Sequence, residues 1–276
     1  MKPVLKTKVK IFLKEKVAPN IYLMGLSASL IANEAKPGQF IHIKCSTGDN
    51  PLLRRPISIH KIEKDKGEIF ILFQVKGKGT KILSERKIEE YLDVIGPIGN
   101  GFQLFSKSQK VMIIGGGIGI APLLTIAEES VLKGKEVKVL IGAANKKMIL
   151  GEKYFKKLGV ETCISTEDGS CQYKGLVTDL TEKIISKWLP DQIFACGPKP
   201  KLRKVAQIAE NKNINCQVSL EERMGCGIGA CLGCVCKIKI READNFKNNL
   251  NQTNYIYKRV CVDGPVFEAR EVVWDD

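Results

Sequence analysis

The sequence predicts a multidomain β plus α/β chain: an N-terminal antiparallel β-barrel, a parallel α/β sheet and a small C-terminal cysteine-rich unit. Three observations predict it. Short β-rich runs separated by Gly, Pro, Asn and Lys fill the first hundred residues. At residue 110 the text changes to an apolar strand, a glycine turn, a helix-length segment and a second apolar strand, which is a βαβ unit. Five of the ten cysteines lie after residue 220. At 276 residues the chain has room for two or three domains.

The barrel, placed at residues 1-106, is read from KVKIFLKEKVA, NIYLMGLS, QFIHIKC, PISIHKI, GEIFILFQVK and YLDVIGP. Residues 107-215 carry the α/β alternation. KVMIIGGGIGIAPLLTIAEESVLKGKEVKVLIGAAN supplies strand, turn, helix and strand; GVETCISTEDG and DQIFACGP end further strands in loops; KPKLRKVAQIAENKN is an amphipathic helix. Residues 216-276 show little core, so a metal is expected to substitute for packing there.

Composition excludes several classes. The formal charge of +14 comes from lysines spread along the chain, most densely as pairs such as Lys146-Lys147 and Lys156-Lys157, without a recognised nucleic-acid motif. No nucleic-acid partner is expected, and the charge suits anionic cofactors instead. The longest uncharged stretch, Val111 to Ala127, holds four glycines and a proline and falls short of the roughly 20 apolar residues that cross a bilayer. The N-terminus MKPVLKTKVKIFLKEK lacks the apolar core and cleavage site of a signal peptide. The expectation is a cytoplasmic protein with no membrane partner and with reduced thiols, serving as metal ligands or ordinary buried groups.

Cys226, Cys231 and Cys234 form C-x4-C-x2-C, with Cys261 further on. This is the spacing of plant-type [2Fe-2S] ferredoxins, whose small residues let backbone N–H groups reach the sulfurs. Zinc competes, but its structural sites favour paired knuckles or histidine, and both histidines, His42 and His60, lie in the first unit. Cys236 is a nearer fourth ligand, yet it sits on the strand-like VCKIKI; Cys261 precedes the turn DGP and is preferred.

GGGIGIAPL, including Gly115, Gly116, Gly117, Gly119 and Pro122, follows a strand and precedes a helix, so its N–H groups offer a pyrophosphate site, although it is not a G-x-G-x-x-G fingerprint. STEDGS and the CGP of Cys196, Gly197 and Pro198 end later strands, and all three loops are expected at the carboxyl edge of one sheet. In the barrel, LLRRPISIH sets Arg54 and Arg55 before Pro56, Ile57 and Ser58; burying such arginines needs an anion, whereas a solvated edge strand does not. GKGT, ending in Gly79 and Thr80, offers a second phosphate contact.

These pieces in this order resemble the ferredoxin-NADP reductase superfamily. Within it, RRPIS with LEERMGCGIGAC and YKRVCVDGPVF resembles the electron-transfer subunits of B-type bacterial dihydroorotate dehydrogenases, over nearly the whole chain. The resemblance implies FAD bound by Arg55, Pro56, Ile57 and Ser58, completed by Leu72, Phe73, Gln74, Gly79 and Thr80. It implies a nicotinamide cofactor on Gly115 to Pro122 and Cys196 to Pro198, and a [2Fe-2S] cluster on Cys226, Cys231, Cys234 and Cys261. Lys146 or Lys147 is placed to meet a 2′-phosphate, but the family precedent is NAD, and NAD is expected. The implied partner is an FMN-containing catalytic subunit that oxidises dihydroorotate, in a heterotetramer of two plus two. Its electrons pass singly through the cluster to FAD and then to NAD, since a flavin handles both one and two electrons. The chain shows no acid or base for dihydroorotate itself. A reductase working between ferredoxin and nicotinamides, or in sulfide or hydrogen metabolism, is the alternative. READNFKNNLNQTN, before Cys261, is expected to be a surface insertion.

Overall fold

The computed structural model describes residues 4–46, 48–240 and 254–274, so all of the expected insertion at 241–254 except Asn254 lies outside the described residues. Six strands close an antiparallel barrel: β1 (Leu5–Ala18), β2 (Ile21–Ser27), β3 (Phe40–Lys44), β4 (Arg55–Glu63), β5 (Glu68–Gln74) and β6 (Tyr91–Ile98), in the order β1-β2-β5-β4-β3-β6. Each matches one of the β-rich runs. β6 shows why: in YLDVIGPI every second residue, from Leu92 to Ile98, is buried, the period of a strand with one face on a core. Closure pairs β1 with β6, Leu5 opposite Gly96 through Lys10 opposite Tyr91, and removes the open edges. Two short helices, α1 (Ser29–Glu34) and α2 (Lys78–Glu85), lie between strands.

The second sheet is built from β7 (Lys110–Gly116), β8 (Glu136–Ala143), β9 (Glu161–Thr166), β10 (Tyr173–Lys174), β11 (Gln192–Cys196) and β12 (Asn215–Ser219), linked by α3 (Leu123–Leu132), α4 (Glu152–Lys157), α5 (Val177–Ile185) and α6 (Lys199–Asn211). All these strands run parallel, in the order β10-β9-β8-β7-β11-β12. From Val111 to Gly115, β7 is buried without alternation, as a parallel strand covered on both faces must be. The chain winds outward from β7 to β10, then returns to β11 on the other side of β7. That reversal is a topological switch point, where a crevice opens at the carboxyl ends of the strands.

The last segment holds β13 (Val235–Lys239), β14 (Tyr255–Arg259) and β15 (Val266–Glu268). β13 and β14 form a separate antiparallel ribbon, while β15 adds antiparallel to β12 at the edge of the large sheet. The expectation of little core there is corrected: Cys234, Ile238, Val260, Phe267 and Val272 are buried in one cluster with Met112, Leu140 and Ile193 of the sheet. Short apolar contributions of two or three residues leave no periodicity in the sequence, yet together they complete a face of the sheet. A further cluster joins Ile21, Leu23 and Leu72 of the barrel to Val111, Ile113 and Phe194.

Candidate functional site

The two arginines before Pro56 have different fates. Arg54 Nη2 donates to Asp93 Oδ1 at 2.9 Å, and its Nη1 donates to the Asp93 carbonyl at 2.8 Å, so Arg54 ties the segment leading into β4 to β6. Among the described residues Arg55 donates only to the local carbonyls of Leu53 and Arg54, and it lies against Gly79, where a Cβ would come within 2.7 Å of its Nε. That brings the guanidinium to the first turn of α2, whose N–H groups favour an anion. Thr80 Oγ1 accepts from the N–H groups of Lys76 and Gly77 and fixes this turn.

Next to it is a cavity of about 220 Å³, lined by Pro56, Ile57 and Ser58 of β4, Leu72, Phe73 and Gln74 of β5, and Thr80 and Cys196. Its apolar walls and polar rim suit a flat heterocycle, and the arginine beside it suits a phosphate. The Cys196 thiol is pushed up to about 12 by burial and stays neutral.

A larger cleft, about 770 Å³, follows the carboxyl ends of the sheet strands and is lined by Gly116, Gly117, Gly119, Gly197 and Pro198. Glycine is required in two of these places. Gly117 has φ +53, and a Cβ on Gly119 would come within 2.6 Å of Gly197 Cα and 2.7 Å of the Cys196 carbonyl oxygen. The two loops therefore touch backbone to backbone. A 3-10 turn at Gly117–Ile120 separates β7 from α3, and Pro122 stands at the N-cap of that helix. Gly115, Pro122 and Arg55 line neither cavity. The cavities meet: Gln74, Lys76, Ile118 and Glu221 line both.

Sequence reasoning missed Lys201, which also lines the cleft. Its ammonium donates to the Cys196 carbonyl at 2.7 Å, bridges the Gly116 and Gly197 loops, and is lowered to about 8 by desolvation. A lysine on an amphipathic helix carries no sign that it faces inward. Ser165 near the end of β9 and Glu167 just after it, both in STEDGS, also line the cleft.

The cysteine loop folds tightly through left-handed backbone at Gly227 (φ +72), Gly229 (φ +84) and Leu232 (φ 56). Cys226 Sγ accepts from the N–H groups of Ile228 and Cys231 at 3.4 Å each, and Cys234 Sγ accepts from the Cys261 N–H at 3.4 Å. Burial opposes ionisation of Cys226, but those backbone donors outweigh it and bring the thiol down to about 6, while burial and the neighbouring Cys234 push Cys261 up to about 12. The turn carrying Cys261 is clamped by Arg259, whose guanidinium pairs with Asp263 and reaches the Gly229 carbonyl. Cys236 lies on β13 opposite Lys258 and packs against the large core. Among the described residues no three His, Cys, Asp or Glu side chains stand close enough to hold a single metal ion. The fit to a cluster rests instead on the small-residue loop and on backbone donors aimed at thiolates, which is how iron-sulfur sites are stabilised.

His42, on β3, is fully buried beside this loop: a Cβ on Gly227 would meet its Nδ1 at 2.4 Å. Neither ring nitrogen has a hydrogen-bond partner among the described residues, and burial with the charge of Arg54 holds the ring neutral, down to about 4.

A closed barrel, a switch-point cleft meeting a barrel cavity, and a ferredoxin-like cysteine loop define a flavin reductase of the ferredoxin-reductase class. Its fold is similar to that of an NADH-dependent reduced ferredoxin-NADP oxidoreductase, with a TM-score of 0.83, 28% identity and coverage of 96% of this chain and 90% of that one. Residues 221–273 match the iron-sulfur cluster binding domain of dihydroorotate dehydrogenase B. The chain is 42% identical, over 93% of its length and 94% of the relative's, to the dihydroorotate dehydrogenase B (NAD(+)) electron transfer subunit of Geobacillus sp. (strain WCH70). It is 41% identical to the subunit of the same name from Caldanaerobacter subterraneus subsp. tengcongensis, over 98% of this chain and 99% of that one. The chain belongs to the family of dihydroorotate dehydrogenase B electron transfer subunits.

Proposed function

We propose that this chain carries electrons from a dihydroorotate-oxidising partner through a [2Fe-2S] cluster and FAD to NAD+, in pyrimidine biosynthesis. The observation that carries the reading is the continuity of the two cavities through Gln74, Lys76, Ile118 and Glu221, in a chain that matches its family from end to end. Bound FAD would exchange hydride with the nicotinamide and single electrons with the cluster.

The chain's own residues orient and insulate. Pro56, Ile57, Ser58, Leu72, Phe73, Gln74 and Thr80 would line the flavin site, and Arg55 with Gly79 would take the pyrophosphate. The Gly115 to Pro122 and Cys196 to Pro198 loops hold the nicotinamide cofactor, with the neutral Cys196 thiol at the junction of the two sites. Cys226, Cys231, Cys234 and Cys261 hold the cluster. The catalytic partner subunit is FMN-containing, the assembly is a heterotetramer of two plus two, and both work in the cytoplasm; no helix of the described residues is long and apolar enough to cross a membrane.

The test is the visible spectrum of anaerobically purified protein before and after NADH, with EPR on the reduced sample. Flavin bleaching with a [2Fe-2S] signal is expected, together with no dihydroorotate oxidation by the isolated chain. A colourless protein with stoichiometric zinc, or turnover of dihydroorotate without a partner, overturns the reading.

A further inference from the structure

Among the described residues His42 is the one buried side chain with two polar atoms that find no hydrogen-bond partner, and it stands between the barrel cavity and the cysteine loop. Along β3, Ile41 and Ile43 enter the barrel core, so Phe40 and His42 face the other way. Phe40 lines the barrel cavity and is buried in one cluster with Cys234, Val260 and Cys261. His42 is directly opposite Pro56, which also lines that cavity, and opposed residues of an antiparallel pair project to the same face. Its ring ends against Gly227, the residue after Cys226, where a Cβ would run into Nδ1, Cε1 and Cγ. Glycine at 227 is thus required twice, by its φ of +72 and by the imidazole.

An imidazole carries at least one N–H in every protonation state, and a buried donor needs an acceptor. The groups around the ring do not supply one. Pro56 and Ile95, opposite it on the neighbouring strands, are apolar, and the Arg54 and Arg55 guanidinium groups only donate. The Cys226 carbonyl is close enough to act on the ring but does not meet hydrogen-bond geometry. What adjoins the ring is a sulfur site. Cys226 Sγ already draws two backbone N–H groups to itself, so the loop gathers donors around its sulfurs. The two nearby arginines add positive charge, which suits a group that gains an electron.

We propose that His42 is a positioning residue for the cluster: its N–H donates to a sulfur of the site, Cys226 Sγ or the sulfide beside it, holding the cysteine loop to the strand that walls the barrel cavity and raising the cluster's reduction potential. This rests on the reading of the cysteine loop as the [2Fe-2S] site. One-electron reduction adds negative charge to the sulfurs, so a hydrogen bond donated to them stabilises the reduced form more than the oxidised one.

The test uses the full chain carrying FAD and the cluster, with its histidines labelled with nitrogen-15; His42 and His60 are the only two. ENDOR of the reduced cluster is expected to show coupling to a histidine nitrogen and to a proton that exchanges in heavy water, both lost in His42→Leu and kept in His60→Asn. In an EPR-monitored redox titration, His42→Leu is expected to lower the reduced-to-oxidised ratio at a fixed potential about tenfold, a downward shift of about 59 mV for one electron. His42→Gln, whose amide still donates, is expected to recover part of that shift. A ring that merely fills space would alter Tm and iron content in His42→Leu but give a wild-type spectrum without histidine nitrogen coupling, and that absence overturns the proposal even where a variant fails to fold. An unmoved potential in His42→Leu overturns it as well. A wild type with no [2Fe-2S] signal at all sinks the cluster reading itself, and the proposal with it.

Discussion

Cys236 and Cys261 are the residues between which sequence spacing alone chose most weakly, and their surroundings separate them. The Cys261 N–H reaches Cys234 Sγ, and its turn is clamped to the cysteine loop by Arg259 and Asp263. Cys236 is two residues from Cys234 but belongs to a ribbon whose pairing with Lys258 fixes its direction, and burial, followed by the charge of Glu222, pushes its thiol up to about 12. Burial raises both thiols alike to about 12, so acidity does not separate them, whereas position relative to the cysteine loop does. Cys261→Ser is therefore expected to lose the [2Fe-2S] EPR signal or shift its g-values, and Cys236→Ser to keep both signal and iron content. Loss of the cluster in Cys236→Ser with retention in Cys261→Ser would reverse the assignment. The cysteine spacing was legible as a cluster motif because its geometry is local, whereas His42, forty residues into the barrel, carries no sequence sign that it packs against Gly227.

At the scale of the element, β4 shows what sequence can and cannot divide. Arg55 opens β4 and Arg54 stands just before it, yet their guanidinium groups reach different partners, so one cannot do the work of the other. The sequence showed the pair and the resemblance singled out Arg55; which of them is structural needed the partner strand, because Asp93 is thirty-nine residues away. Removing Arg54 leaves a half-buried Asp93 without its cation and is expected to cost about 1.5–3 kcal/mol, seen as a lower Tm with FAD content near normal. Removing Arg55 is expected to leave Tm of the apoprotein nearly unchanged and to raise the Kd for FAD about ten- to hundredfold, the worth of a charge-assisted phosphate contact. Thermal melts and flavin titration of Arg54→Ala and Arg55→Ala separate the two; equal FAD loss in both variants would refute the division. All six barrel strands were readable because a one-sided core imposes period two, whereas β15, three residues long, is a strand only because β12 offers it an edge.

The whole molecule is held as one piece by contacts that no segment reveals alone. Gln192, buried at the start of β11, accepts from the Phe105 N–H and donates to the Gln103 carbonyl, and Gln217 of β12 accepts from the Gln103 N–H, so the link between barrel and sheet is pinned to the sheet. On the other side His60 of β4 reaches the α/β half directly: its Nδ1 lies 2.8 Å from the Ala121 carbonyl, and its ring meets Tyr154 edge-on. Since a carbonyl only accepts, Nδ1 must carry the proton, and the buried Nε2 is left bare. Protonating Nε2 would place a charge in this interface without an acceptor, so burial lowers the His60 pKa to about 4, against about 6.5 in an unfolded chain. The unfolded chain takes up the proton first; stability from this group is therefore complete above about pH 6.5 and drains as pH falls toward 4, by on the order of 3 kcal/mol. His60→Asn, whose amide can still donate to Ala121 without titrating, is expected to flatten the fall of Tm between pH 6.5 and 4 relative to the wild type. Comparing the two proteins cancels groups that titrate in the same range, such as Glu128, which burial raises to about 7. Parallel Tm profiles for the two proteins would show that the interface does not depend on a neutral His60; convergence toward pH 4 would show that the contact aligning the two cavities is also the one that acid opens.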